Sequence, residues 1–169
     1  MSSNLPPMGS PQWLDLVFST PPVRGLKGHS KHTQYHQAYL SHTQQLVGCQ
    51  GRNELNGLLM IEYLMTLGHI TRVKPQPFTT RLAEFGCRIT PDFLMLGKQE
   101  SQIYAIEVKS QRFLTRLKHR QLELNRERFH KFGITYLAWT DASPLIGDFL
   151  YHGLHARLLI QISCRSSPK

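Results

Sequence analysis

Asp92, in the phrase Thr90-Pro91-Asp92-Phe93-Leu94, heads one apolar run, and Glu107 and Lys109 sit inside the next, Ile106-Glu107-Val108-Lys109. Residues i and i+2 of a strand point the same way, so Glu107 and Lys109 share a face. The stretch from Tyr104 to Val108 is otherwise apolar. A buried strand has no use for two opposite charges on one face unless they pair or bind something. If the two runs are neighbouring strands, Asp92, Glu107 and Lys109 converge. Two carboxylates and an ammonium are what metal-assisted cleavage of a phosphodiester needs. The acids hold a hard divalent ion, and the lysine steadies charge on the phosphate or the attacking water. The same residues also fit a plainer arrangement, with Asp92 capping a turn after Pro91 and Glu107 and Lys109 forming a solvated pair on an edge strand.

The elements that would position these groups can be read from periodicity and punctuation. Residues 1–48 carry prolines at 6, 7, 11, 21 and 22 with many Ser, Gln and His, and are expected to be irregular. Within them, Trp13 to Phe18 could form a short docking element. Gly25 to His32 reads as a small basic loop, where Lys27 and Lys31 would either contact phosphate or simply be solvated. From Asn53, a fair N-cap, helical spacing at Leu55, Leu58, Leu59, Tyr63 and Met65 predicts a helix ended by Gly68. A short strand is expected over Ile70–Val73, and a non-helical stretch over Lys74-Pro75-Gln76-Pro77-Phe78. One strand is expected over Cys87–Leu96 and another over Gln102–Lys109, joined by a polar turn as an antiparallel hairpin. Arg116–Phe132 reads as a basic amphipathic helix with Leu117, Leu122, Leu124 and Phe129 on its apolar side, stopped by Gly133. Ile134–Trp139 reads as a buried strand. A strand, crossover helix and strand in this order predicts a parallel neighbour. Leu158–Ile162 is expected to be a last strand, and 165–169 a tail. The expected fold is α/β, a mixed central β-sheet flanked by helices.

Composition narrows the partners. The 169 residues suit one ordered domain, taken as 49–163, between the irregular segment 1–48 and a tail at 164–169. Lys plus Arg number 20 against 11 acids, a net charge of +9, with an isoelectric point of about 9.8. That balance favours a polyanion, most simply nucleic acid, or an anionic membrane surface. Cys49, Cys87 and Cys164 show no Cys-x-x-Cys spacing and are expected to be free thiols. The histidines at 29, 32, 36 and 42 lack a metal-ligand pattern. No apolar stretch approaches the roughly 20 residues that span a bilayer, and no signal pattern opens the chain. A soluble, cytoplasmic, nucleoid-associated bacterial protein is expected.

The Asp92…Glu107-x-Lys109 pattern resembles the PD-(D/E)XK nuclease signature. Wider motifs extend the likeness: Glu54-Leu-Asn-Gly-Leu-Leu-Met-Ile-Glu62-Tyr63, then Lys74-Pro-Gln76-Pro77-Phe78, Thr90-Pro-Asp92-Phe-Leu, Ile106-Glu107-Val-Lys109, Leu122-Glu-Leu-Asn-Arg-Glu-Arg-Phe129, and Ile134 to Thr140-Asp141. In that order they resemble the TnsA endonucleases of heteromeric cut-and-paste transposons, over roughly residues 25–141. The resemblance implies a restriction-endonuclease-like catalytic domain and a metal-dependent DNA endonuclease that cuts the 5′ ends of a transposon. It implies that Glu54, Asp92, Glu107 and Lys109 are catalytic. Asp92 and Glu107, with the Val108 carbonyl and Glu54, would hold Mg²⁺, for which Mn²⁺ would substitute. By composition Glu54 and Glu62, which can share a helix face, are equal candidates for the third acid; the resemblance matches Glu62 to an acid-aromatic pair taken as structural, and Gln76 to a position that could help align the site. The implied partners are double-stranded DNA at the transposon ends and the integrase-type transposase TnsB. Family members often carry a further C-terminal helical domain that contacts the ATPase regulator TnsC; this chain ends before such a domain, which puts that contact in question. Arg112, Arg116, Lys118 and Arg120 are expected to track phosphates, or else to form a solvated helix face. A solitary restriction- or resolvase-like nuclease and a catalytically silent DNA- or transposase-binding adaptor are the competing functions.

Overall fold

The computed structural model describes residues 5–23, 35–82, 87–99 and 102–141. In chain order it contains α1 (Pro11–Ser19), β1 (Tyr35–Leu40), β2 (Gln45–Gln50), α2 (Arg52–Thr66), β3 (Ile70–Pro75), β4 (Thr80–Leu82), β5 (Cys87–Ile89), β6 (Phe93–Gly97), β7 (Ile103–Lys109), a 3-10 turn (Gln111–Phe113), α3 (Arg116–His130) and β8 (Ile134–Thr140). The protein is mixed α/β, with a sheet of mixed orientation flanked by helices. Four strands are ordered β3-β6-β7-β8; β6 is antiparallel to β3 and β7, and β8 is parallel to β7. The expected hairpin and the parallel crossover through α3 are both present. No helix among the described residues is long and apolar enough to cross a membrane.

Strand alternation sorts the side chains into two cores. Phe93, Met95, Ile106, Val108 and Trp139 meet α2 and the β1–β2 hairpin. Leu94, Leu96, Ile103, Ala105 and Tyr136 meet α3 and α1. Burying a side chain such as Ile61, Leu94 or Ile106 completely contributes about 1.5–3 kcal/mol. Gly57 sets how closely α2 approaches the sheet. A Cβ there would lie 3.1 Å from Val108 Cγ2 and 3.5 Å from Phe93 Cε2.

The N-terminal region differs from the expectation. Residues 1–48, read as irregular, contain α1 and most of a β-hairpin, and the boundary drawn at residue 49 falls inside β2. The prolines misled because Pro11 occupies the first helical position, where its missing N–H costs nothing. Ser10 caps that helix by accepting from the Trp13 N–H at 3.3 Å. Trp13, Leu14 and Val17 then bury one face of it. Trp13 packs edge-on to Phe78, ring centroids 4.9 Å apart. The docking element expected at Trp13–Phe18 is therefore a helix.

Three further boundaries moved. Gly51 rather than Asn53 caps α2; its φ of 98° lies in the left-handed region that glycine tolerates. The strand expected over Cys87–Leu96 is interrupted at Thr90-Pro91-Asp92. β5 pairs with β4, outside the main sheet, and β6 begins only after Asp92. Pro91 has no N–H to give a ladder, so pairing breaks there. α3 ends at His130, before Gly133 with its φ of 69°; of its expected apolar side, Phe129 is buried and Leu122 packs on the core, but Leu117 does not. Leu117 is 78% exposed, whereas Asn125, Arg128 and Phe129 are buried. The strand expected at Leu158–Ile162 and the tail lie outside the described residues.

Candidate functional site

Asp92 stands where β6 has not quite begun, and its side chain completes the ladder. Its N–H donates to the Ile106 carbonyl at 2.8 Å. One residue pair further along, the Val108 N–H points toward a place where a backbone carbonyl would be expected. Asp92 Oδ2 accepts that hydrogen bond instead, at 2.7 Å. On the other side the Gln76 N–H donates to the Asp92 carbonyl at 2.8 Å, and the Gln76 carbonyl accepts from Val23 at 3.0 Å. Gln76 is buried with a φ of 43°, a backbone strain of about 1–3 kcal/mol for a residue other than glycine. The structure thus holds Asp92 between β3's end and β7 through three backbone-directed contacts. Gln76, expected as a residue that could help align the site, meets Asp92 through its backbone N–H.

Alternation places Glu107 and Lys109 on the α3 side of β7, with Ala105. They are ion-paired to each other. Both line a cavity of about 310 Å³ together with Arg88, Lys118, Asn125 and Tyr136. Glu54 lies in the first turn of α2, at the same end of the sheet, and its Oε2 accepts from the Gln50 N–H at 2.8 Å.

The charges of these four residues act on one another. Burial, then Glu107 and Glu54, push the Asp92 carboxyl up to about 7; the Val108 N–H and Lys109 pull against them. Burial alone would lower Lys109, but Glu107, Asp92 and Glu54 outweigh it and raise the ammonium's pKa. Lys109 therefore stays charged at neutral pH. Burial, with Glu54 and Asp92 beside it, raises the Cys49 thiol to about 12, so Cys49 is an inert neighbour of the site. Among the described residues no three His, Cys, Asp or Glu side chains are close enough together to hold a metal as they stand. Each carboxylate takes a nearer donor: Asp92 the Val108 N–H, Glu107 the Lys109 ammonium, and Glu54 the Gln50 N–H.

Glu62 sits elsewhere and does other work. It is 3% exposed and holds the β1–β2 turn. Its Oε1 accepts from the Ser41 N–H at 2.9 Å, the His42 N–H at 3.3 Å and the Ser41 hydroxyl, and pairs with His42 Nδ1 at 2.9 Å. Burial would raise its carboxyl, but these contacts prevail and lower it. Its expected structural part is what these contacts describe.

Arg112, Arg116, Lys118 and Arg120 are all exposed beside the cavity's mouth or along the start of α3. Lys27 and Lys31 lie outside the described residues. Sequence reasoning missed two features. Asp141, at the end of β8, accepts from Ser110 Oγ at 2.8 Å and the Gln111 N–H at 2.7 Å, and Asn53 also hydrogen-bonds to it. It thereby ties the segment after Lys109 to the turn that carries Glu54. Gln121, Asn125 and Tyr136 form a polar row in the cavity wall: Gln121 Nε2 donates to Asn125 Oδ1 at 3.0 Å and Asn125 Nδ2 to Tyr136 Oη at 3.4 Å. The strand-ending Thr140-Asp141 was a visible signal for the first. Nothing in the spacing marks the second.

The chain matches no protein-family model, and no curated protein matches it at a significant level.

Proposed function

We propose that this protein is a divalent-metal-dependent DNA endonuclease with a restriction-endonuclease-like catalytic domain, of the TnsA kind. The observation that carries the proposal is that Asp92, Glu107, Glu54 and Lys109 act on one another's charge at one end of the sheet, where burial first, and Glu107 and Glu54 with it, raise Asp92 to about 7. Like charges packed in a partly dry site are relieved by a cation. The donors available are all oxygens, which suits Mg²⁺ or Mn²⁺. Asp92 and Glu107, with Glu54 and the Val108 carbonyl, would hold the ion. When bound, such an ion offsets charge on the phosphate and acidifies the attacking water.

The protein's own groups divide the remaining work. Val108 and Gln76 fix Asp92 by hydrogen bonds, so its carboxylate needs little reorganisation. Lys109 remains protonated, so it orients water and steadies phosphate charge and does not accept a proton. Glu107 has to leave Lys109, at least in part, to serve as a ligand. Arg112, Arg116, Lys118 and Arg120 supply positive surface beside the cavity for the DNA backbone. In the TnsA setting the cut falls at transposon 5′ ends, with TnsB as partner; TnsC is a candidate regulator.

Supercoiled plasmid is the direct test. The wild type is expected to nick it with Mg²⁺ or Mn²⁺ and to stop when a chelator is added. Asp92→Asn and Lys109→Ala are expected to lose nicking by at least about 10²-fold while still binding DNA. Retained nicking in either variant rejects the assignment. A catalytically silent DNA-binding adaptor is the second function to weigh, because Glu107 is engaged by Lys109 and Glu54 by the Gln50 N–H. The same assay separates the two: metal-independent silence of the wild type favours the adaptor.

A further inference from the structure

Just beyond Lys109 the chain presents an aromatic ring to solvent. Phe113 is 52% exposed, and Leu117, four residues on, is 78% exposed. The Arg112 guanidinium carbon lies 4.6 Å from the Phe113 ring centroid and Lys118 Nζ lies 5.9 Å from it. The turn beneath the ring is fixed at both ends. Asp141 holds Ser110 and Gln111. The Phe113 N–H donates to the Ser110 carbonyl at 3.0 Å, and the Leu114 N–H to that of Gln111 at 3.0 Å. Thr115 then caps α3 by accepting from the Lys118 N–H at 3.3 Å. Leu114 and Lys118 also line the cavity into which Glu107 and Lys109 open.

A single exposed aromatic is ordinary on a protein surface. Here the ring is flanked by cations and mounted on a braced turn directly after the strand that bears Glu107 and Lys109. We propose that Phe113 is a stacking wedge for duplex DNA. It lies against a base beside the phosphate that Glu107 and Lys109 face, while Arg112 and Lys118 contact the neighbouring phosphates. The wedge rests on the DNA-cleaving function proposed above and names how that site would grip its substrate. Its chemistry is that of apolar side chains that part a base step and kink the duplex, helped by the flanking positive charge.

Phe113→Trp turns the ring into its own reporter. The chain's two tryptophans, Trp13 and Trp139, are buried, and their signal is subtracted using the wild type. With chelator present, a mixed-sequence linear duplex is titrated into each protein. Emission from Phe113→Trp is expected to be quenched. Phe113→Ala is expected to bind about tenfold more weakly, as loss of base stacking requires, with an unchanged Tm and an unchanged dependence on salt. Arg116→Ala, by contrast, should flatten the salt dependence. Unmoved tryptophan emission at saturating DNA overturns the wedge, as does full affinity in Phe113→Ala or a wild type that binds no duplex. The readouts are independent of cleavage. Quenching without any metal-dependent nicking removes the catalytic function and leaves the wedge standing; nicking without quenching does the reverse.

Discussion

Asp92 combines two duties that substitution can separate. Its carboxylate closes the β6–β7 ladder at Val108 and is also raised by burial and by its acidic neighbours. Asparagine keeps an oxygen for the Val108 N–H and removes the charge. The sign of the stability effect follows from the raised pKa. In the unfolded chain Asp92 loses its proton near the ordinary carboxylate value, whereas folded it holds the proton up to about 7. The folded state binds that proton more tightly, so the stabilisation is complete below about 3.9 and is lost as pH climbs through about 7. With chelator present, Asp92→Asn should therefore melt higher than wild type at pH near 8, and the gap should close toward pH near 4. Equal melting temperatures at both ends would mean that Asp92 is not strained by its neighbours. The residue types were legible because carboxylates inside apolar runs stand out. The left-handed turn at Gln76 was not, since backbone strain leaves no mark in composition.

Each element carries a separate risk. Replacing Gly57 by Val thrusts a branched side chain toward Val108 and Phe93. It should lift α2 from the sheet, lower the Tm by several degrees, and displace Glu54 so that nicking falls further than stability does. Glu62 governs the hairpin in a different way. Glu62→Ala leaves the Ser41 and His42 donors without their shared acceptor, at about 1–3 kcal/mol for each one that water does not reach. Because its folded pKa is lowered, its stabilisation is present above the ordinary carboxylate value and is lost as pH falls through the folded one. Glu62→Gln should blunt that acid sensitivity, read by thermal melts over the range from about pH 5 to 3. The central hairpin and crossover were readable because their apolar runs are long and their turns polar. α1 and the β1–β2 hairpin were not, because their cores are short (Trp13, Leu14 and Val17 in one, Ala38, Leu40, Val47 and Cys49 in the other) and lie among polar residues. α3 misled through Asn125 and Arg128, polar side chains that the fold buries while leaving Leu117 outside.

At the scale of the whole molecule, the net charge of +9 predicts an association with DNA that weakens steeply with salt. Where Arg112, Arg116, Lys118 or Arg120 contacts a phosphate, its replacement by alanine should reduce the slope of log affinity against log salt by about 0.9. Slopes identical to wild type in all four variants would place them off the interface. The antiparallel and parallel pairings also give the sheet a polarity. Glu54, Asp92, Lys109 and Asp141 gather at one end, while Gly68, Lys98 and Gly133 mark the other; there the Lys98 N–H meets the His69 carbonyl at 2.9 Å. β7 runs the distance between them, about 20 Å over its seven residues. A fluorophore or surface tether at Lys98 or Lys131 would therefore ride on the quiet pole, leaving the acidic pole open to whatever it grips.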